Sequence, residues 1–424
     1  MIGAGEFAAL EHDTSSMSQR RFFSFDTVNT VQAYSCGTEA FDEVERLCAR
    51  FEKLFSHTDP NSELSRVNAS RGKPVEVSSE LASLLEAALR YCSETEGPFD
   101  ITMGSVVRLW DFKRGVVPPP ASVDAARRHV DYREVHVEGR RVCLEDPDAC
   151  IVLGGIAKGF IADAVLDLLA NRGVEHAVVN LGGNVAVMGG KPNGESFVVG
   201  LRTPVSSKRQ AEGVFAAVPL RNGSVVTSGV YERSFEADGV LYHHILDPHT
   251  GFPAQTDLVS VSVIARQSLD ADGLSTALAI MGLDRARAFV EARDGVEAVF
   301  VTASGEVFAT SGASRLPFDR SARSISYMKV FGYHDREISR LYIRSISITV
   351  LVSLVACLPI LVFALDFIVQ LMMSEYSGNL ELWVAPQTYV VEVLIGAATY
   401  AVVAILHMRR IRRVPLALAM KVQE

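Results

Sequence analysis

Leu153-Gly-Gly-Ile-Ala-Lys-Gly159 opens an apolar helical pattern, Lys158 to Ala170, that gives way within a few residues to a strand, His176 to Asn180. Glycines ahead of a helix let the backbone approach an anion, and the first N–H groups of the helix have no partner of their own. Lys158, in the first turn, adds a point charge that can reach a phosphate. A Walker loop needs a wider glycine spacing and a Ser or Thr after the Lys, so this is a different device. Upstream, Phe22 to Tyr34 alternates as a strand. Glu39 to Phe55 puts Phe41, Val44, Leu47, Phe51 and Leu54 on one helical face, and Glu80 to Tyr91 is a second amphipathic helix. Val135 to Leu144 is a hairpin around Glu138-Gly139. Downstream come strands at Ser196 to Leu201, Gly213 to Val218 and Leu258 to Ala265, a helix at Asp270 to Met281, and a strand pair near Ala298 to Ala309. Helices and strands mix without a regular βαβ repeat, which predicts an α+β domain over residues 22–318 after a disordered N-terminus, 1–21.

The 424 residues are 48% apolar and 21% charged, which excludes a disordered or low-complexity chain. A net charge of −9 argues against a general nucleic-acid binder. Six cysteines without a CxxC pair offer neither a zinc knuckle nor a disulfide framework. Charge is unevenly spread: from Ser321 to Glu424 ten Lys/Arg outnumber seven Asp/Glu, against an acidic body. After a linker, 319–344, this tail (345–424) holds two apolar stretches, Ile346 to Leu365 and Tyr389 to Met408, each long enough for a membrane span. Basic flanks, Lys329, Arg336, Arg340 and Arg344 before and Arg409, Arg410, Arg412 and Arg413 after, place both ends of a transmembrane hairpin in the cytoplasm. No secretory signal is evident at the N-terminus, so the domain is expected on the cytoplasmic face of the membrane.

Four further segments carry chemistry. Asn180-Leu-Gly-Gly-Asn184, with Gly182 and Gly183, reads equally as a tight turn or as a loop packed on a nucleotide. Val226-Thr-Ser-Gly-Val-Tyr231 offers the Thr227 and Ser228 hydroxyls either as caps or as phosphate donors. His243-His-Ile-Leu-Asp-Pro-His-Thr-Gly-Phe-Pro253 concentrates His and Asp in a punctuated loop; zinc fits poorly, because adjacent His243 and His244 point to opposite sides of a strand. In Asp270-Ala-Asp-Gly-Leu-Ser-Thr-Ala277, Asp272 and Thr276 share a helical face and form a hard-oxygen pair suited to magnesium, unless Asp270 is a cap and Asp272 a solvated acid.

Taken in order, these segments resemble the ApbE-type FAD:protein FMN transferases. The likeness runs through Phe25-Asp-Thr27, Phe55-Ser56, Asn61-Ser-Glu-Leu-Ser-Arg-Val-Asn68, Gly97-Pro-Phe-Asp-Ile-Thr102, the glycine segments, Thr227-Ser-Gly229, the histidine loop, and Ala271-Asp272 with Thr276. The resemblance implies magnesium-dependent transfer of FMN from FAD to a Thr or Ser hydroxyl of an acceptor protein, a membrane or respiratory flavoprotein, with release of AMP. It implies that Asp272, Thr276 and the Gly155 carbonyl hold the metal. Phe25, Pro98, Phe99, Asp100, Lys158, Gly182, Gly183, Thr227, Ser228 and Leu246 would line FAD. His244 would assist deprotonation of the acceptor, and Asp247 would orient its loop. Val152 stands where the family usually has Asp, which leaves open an FAD-binding module or an FAD pyrophosphatase without protein transfer. The tail, through Met328-Lys-Val-Phe-Gly-Tyr333, Arg409-Arg-Ile-Arg-Arg413 and Ala417-Leu-Ala-Met-Lys-Val-Gln-Glu424, resembles the C-terminal end of an FtsX-like ABC transporter permease. It is too short to transport alone, so its expected role is to hold the domain at the lipid bilayer.

Overall fold

The computed structural model describes residues 17–202, 204, 214–315, 363, 385, 387–388 and 399–400. The chain divides into two units, residues 1–211 with 217–318 and residues 319–424 with 212–216. In the first unit the chain runs Met17–Ser24 (β1), Thr27–Tyr34 (β2), Thr38–Phe55 (α1), Glu63–Asn68 (α2), Val75–Glu76 (β3), Ser79–Glu94 (α3), Gly104–Val107 (α4) and Pro120–Arg127 (α5). It continues with Val135–Glu138 (β4), Arg141–Leu144 (β5), Ala157–Asn171 (α6), Ala177–Leu181 (β6), Asn184–Met188 (β7), Phe197–Arg202 (β8) and Val214–Leu220 (β9). Gly223–Gly229 (β10), Ser234–Ala237 (β11), Val240–His243 (β12), Leu258–Ala265 (β13), Ser268–Met281 (α7), Leu283–Glu291 (α8), Val296–Thr302 (β14) and Val307–Ala309 (β15) complete it.

Eight strands form an antiparallel sheet in the order β1-β2-β6-β7-β10-β13-β14-β15. Alternation explains its buried face: Val31 and Ala33 of β2, Ala177, Val179 and Leu181 of β6, Val261 and Val263 of β13, and Ala298 and Phe300 of β14 join one apolar core. α6 packs on β6 and β7, α7 on β10 and β13, and α8 on β14. α1 reaches that core through Phe41, Val44, Cys48, Phe51 and Phe55, three or four residues apart. Serine caps start the neighbouring helices: Ser62 accepts from the Ser65 N–H, and Ser78 from that of Leu81.

The α+β expectation holds, and its boundaries shift. β1 begins at Met17, so residues 17–21 belong to the sheet rather than to a disordered N-terminus; residues 1–16 lie outside the described residues. The single strand expected from Phe22 to Tyr34 is a hairpin, reversed at Phe25-Asp26, both with φ 57°. β7 was not anticipated as a strand, because its glycine border reads as a turn, and β10 only as the strand-to-turn junction at Val226 to Tyr231. In fact Gly182 and Gly183, both with positive φ, form the two-residue turn that joins β6 to β7, with the Asn180 Oδ1 accepting from the Gly183 N–H at 2.9 Å. The two expected spans lie, but for positions 363, 399 and 400, outside the described residues. Among the described residues no helix is long and apolar enough to cross a membrane.

Phe300 has no solvent exposure and sits between β13 and β15. Phe300→Ala is expected to cost about 3–5 kcal/mol, read as a lowered urea midpoint.

Candidate active site

α6 and α7 cross so closely that only glycine fits at 159. A Cβ there would stand 2.4 Å from the Ser268 carbonyl oxygen and 2.7 Å from the Asp272 Cβ. The contact brings the Asp272 carboxylate to the amino end of α6, where its Oδ2 accepts the Gly159 N–H at 2.8 Å. One turn away the exchange is returned. Asp163 of α6 accepts the Ser268 and Leu269 N–H groups, at 2.8 and 2.9 Å, at the amino end of α7. Each helix is thus capped by a carboxylate from the other. Asn184, the first residue of β7, accepts the Ser268 hydroxyl at 2.6 Å, and the Ser224 hydroxyl of β10 stands 2.9 Å from that of Ser268. Asp272 is 4% exposed. Burial raises its pKa, opposed by Lys158 and the Gly159 N–H. Burial pushes Asp163 up to about 6.

Thr276 lies one turn beyond Asp272. A Cβ on Gly155 would stand 3.5 Å from its Oγ1 and 3.1 Å from the Phe99 ring, so the glycine turn, Phe99 and Thr276 are neighbours. The Ser228 hydroxyl is 3.4 Å from that of Thr276 and 2.8 Å from that of Ser275. Thr227, next on the strand, turns away and pairs with Ser262 at 2.8 Å, so the structure does not bring it to this group. The Lys158 ammonium is close enough to act on the charges of Asp272, Glu232 and His244. A buried carboxylate, a hydroxyl one helical turn away and a glycine backbone beside it are hard oxygen donors of the kind magnesium takes, so these residues fit that ion.

His244 follows β12, and its backbone N–H donates to the Arg233 carbonyl at 3.1 Å. Its Nδ1 is buried without a hydrogen-bond partner among the described residues. Burial, then Arg233 and His243, pushes its pKa down to about 4, so the ring is neutral at pH 7. Asp247 does not bond to His244: its Oδ1 accepts the His249 N–H at 2.9 Å and organises its own turn. Leu246 is buried in a second apolar cluster with Met103, Val106 and Trp110, whose indole donates to the Gly251 carbonyl at 3.2 Å. That cluster anchors the histidine loop. Val152 packs against it as well.

The other expected flavin contacts fall into separate places. Pro98 and Phe99 are buried. Asp100 spends both oxygens on the protein, on the Thr102 N–H and hydroxyl and on the Tyr132 N–H, while its carboxyl borders a cavity of about 350 Å³ with Gly97, Pro248 and His249. Phe25 sits in the β1–β2 turn, where its N–H donates to the Glu52 Oε1 at 2.8 Å. That turn abuts the Gly182 turn, since a Cβ on Gly182 would meet the Thr27 side chain at 2.7 Å. Sequence reasoning missed Asp163 and the role of Asn184. The available signal was an acid four residues after Gly159, on the same face of a mostly apolar helix.

A polar site built on two cross-capped helices, beside a neutral histidine, has the buried acid, hydroxyls and nearby lysine expected of an enzyme that acts on an anionic substrate. Comparison with known proteins narrows the class. The ApbE family model matches residues 25–300, and the FtsX-like permease C-terminal model matches 299–416. A FAD:protein FMN transferase of Treponema pallidum is 38% identical over 291 residues, covering 64% of this chain and 80% of that protein. One of Klebsiella pneumoniae is 33% identical, covering 70% and 94%. Among solved structures, the Thermotoga maritima ApbE protein aligns with TM-score 0.65 and 31% identity over 71% of this chain and 99% of that one. The Vibrio cholerae flavin transferase ApbE gives 0.64, 27%, 71% and 99%. The chain belongs to the ApbE family, and an FtsX-like permease C-terminal region follows its ApbE domain. The junction of the two matches falls inside β14, yet β14 and β15 complete the sheet, so the folded domain extends past residue 300.

A histidine whose folded pKa lies below its unfolded value contributes stability present above about pH 6.5 and lost as pH falls towards about 4. His244→Gln is expected to remove that part of the acid sensitivity, read as a smaller loss of melting temperature between pH 7 and pH 5.

Proposed function

We propose that this chain transfers the FMN moiety of FAD to a Ser or Thr hydroxyl of an acceptor protein and releases AMP. Membership of the ApbE family and the names of its relatives support the reaction class. The arrangement of Asp272, Thr276, Gly155, Lys158 and His244 supports the chemistry. The acceptor oxygen attacks the phosphorus that carries riboflavin, the P–O bond to the AMP phosphate breaks, and the hydroxyl proton passes to His244. A magnesium ion held by Asp272, Thr276 and the Gly155 carbonyl would neutralise the diphosphate charge. Lys158 adds positive charge on the same side. Phe99 fixes the glycine turn from below. The neutral ring of His244 is ready to take a proton, and an anionic substrate offsets the Arg233 and Lys158 charges that hold its basicity down. Asp100 and Asp247 act through the loops they brace, and Thr227 through the pairing of β10 with β13.

The FtsX-like region and its two apolar stretches support a membrane-tethered enzyme with the domain in the cytoplasm, acting on a membrane or respiratory flavoprotein. A second reading, FAD held or hydrolysed without protein transfer, draws on Val152, which gives the site an apolar contact in place of an acid.

The full-length chain, incubated with FAD, magnesium and an acceptor protein, is expected to add an FMN-sized mass to the acceptor and to release AMP, both abolished by EDTA. Free FMN with AMP would establish the pyrophosphatase, and bound FAD without AMP the binding module. Asp272→Ala is expected to lower transfer by at least about 100-fold without unfolding the domain; magnesium-dependent transfer at the wild-type rate would remove the metal assignment.

A further inference from the structure

We propose that Asp163 is a positioning residue for the metal site, and this rests on the reading of Asp272 and Thr276 as metal ligands. Asp163 touches neither of them. It lies on α6 one turn after Gly159, and its two oxygens take the Ser268 and Leu269 N–H groups at 2.8 and 2.9 Å. Those two N–H groups begin the helix that carries Asp272 one turn later and Thr276 one turn after that. The position of both ligands is therefore set by where α7 starts. Asp163 fixes that start through the backbone itself, while Asn184 only accepts the Ser268 side-chain hydroxyl, at 2.6 Å. The buried Asn184 amide lies close enough to Asp272 to lower the pKa of that acid. The same helix pair is closed at its other contact by Asp272 itself on the Gly159 N–H.

The two carboxylates therefore form a reciprocal clamp with different duties. Asp272 has one oxygen on the Gly159 N–H of α6, with the Lys158 N–H and the Asn184 amide close by, and its carboxylate keeps acceptor capacity that a cation would use. Asp163 has both oxygens committed to α7 and none to offer. A carboxylate accepts both N–H groups; an amide at the same place accepts with one oxygen and opposes the other N–H with its own donors. Loss of one bond lets the first turn of α7 rotate, and a displacement of about 1 Å at a ligand is enough to matter to a site of this kind.

The test reads metal binding rather than turnover. Manganese, which reports by paramagnetic resonance, is titrated with the full-length chain and with Asp163→Asn, Asp163→Glu, Ser268→Ala and Asp272→Ala, and each melting curve is recorded. Folded Asp163→Asn is expected to bind manganese about 10–100-fold more weakly, as outer partners of metal ligands do, with Asp163→Glu in between. Ser268→Ala, which keeps both N–H groups on Asp163, is expected to bind nearly as the wild type does. Wild-type affinity in Asp163→Asn with a lowered melting temperature would overturn the inference, because a purely structural role predicts that pair of results. Equal weakening in Ser268→Ala, or failure of both Asp163 variants to fold, would overturn it too. Binding lost in Asp272→Ala but kept in Asp163→Asn defeats this inference alone, whereas binding unchanged in Asp272→Ala defeats the metal reading itself.

Discussion

The approach of α6 to α7 at Gly159 is the constraint on which the site depends. With no side chain at 159, the helices come near enough for backbone N–H groups of one to meet carboxylates of the other. Burying a carboxylate is costly unless it is hydrogen-bonded, and helix amino ends are where unpaired N–H groups occur. The fold joins the two requirements. Asp163 and Asp272 are each satisfied by the end of a helix that would otherwise lack acceptors. Because α6 rests on β6 and β7, and α7 on β10 and β13, the clamp also registers the helices over the middle of the sheet. Ser228 on β10 and the Gly155 turn are then carried to Thr276 without further adjustment.

Electrostatically the site is unbalanced. Asp272 is buried with its pKa raised, while burial first, and then the charges of Arg233 and Lys158, hold the proton affinity of His244 low. Burial also raises Glu232, against the pull of Lys158, Arg202 and Arg233. Such an arrangement is poised for an added dianion and a divalent cation together: the cation relieves the buried acid, and the dianion relieves the basic groups. Either ion alone leaves one side uncompensated. On the proposed reading, that mutual requirement is a physical reason for metal and diphosphate to bind as a unit.

Much of this was legible in the residues, and the misses share a cause. Helical patterning located α1, α3, α6 and α7 to within a few residues, and the run Leu258 to Ala265 was placed as the strand β13. The glycine pairs were harder, because one glycine spelling serves three ends. Gly182 and Gly183 provide positive φ for a hairpin, Gly155 leaves room for Phe99, and Gly159 permits the helix crossing. Sequence marks all of them as turns. Likewise an Asp in a helix reads as solvated unless its neighbour in space is known. Asp272 stood out through Thr276 four residues on, whereas Asp163 had no such companion and its partners come 105 and 106 residues later. Asp100 and Asp247 mislead in the opposite sense: each looks chemical in sequence, and each mainly braces its own loop.

The order of the parts bears on what the FtsX-like region can do. Every residue assigned to the site lies between Phe25 and Thr276, and the sheet behind it closes with β15 at Ala309. The ApbE domain thus completes its core before the permease-like sequence has passed its first few residues of family likeness. A domain whose core and ligands are complete needs no chain beyond it to set its chemistry. What a following membrane segment changes is concentration. Confining an enzyme to the surface that holds its acceptor raises their effective concentration without adding a contact. If the proposed function holds, the fusion alters which acceptors are met and how often, and leaves the bond that is made to Asp272, Thr276 and His244.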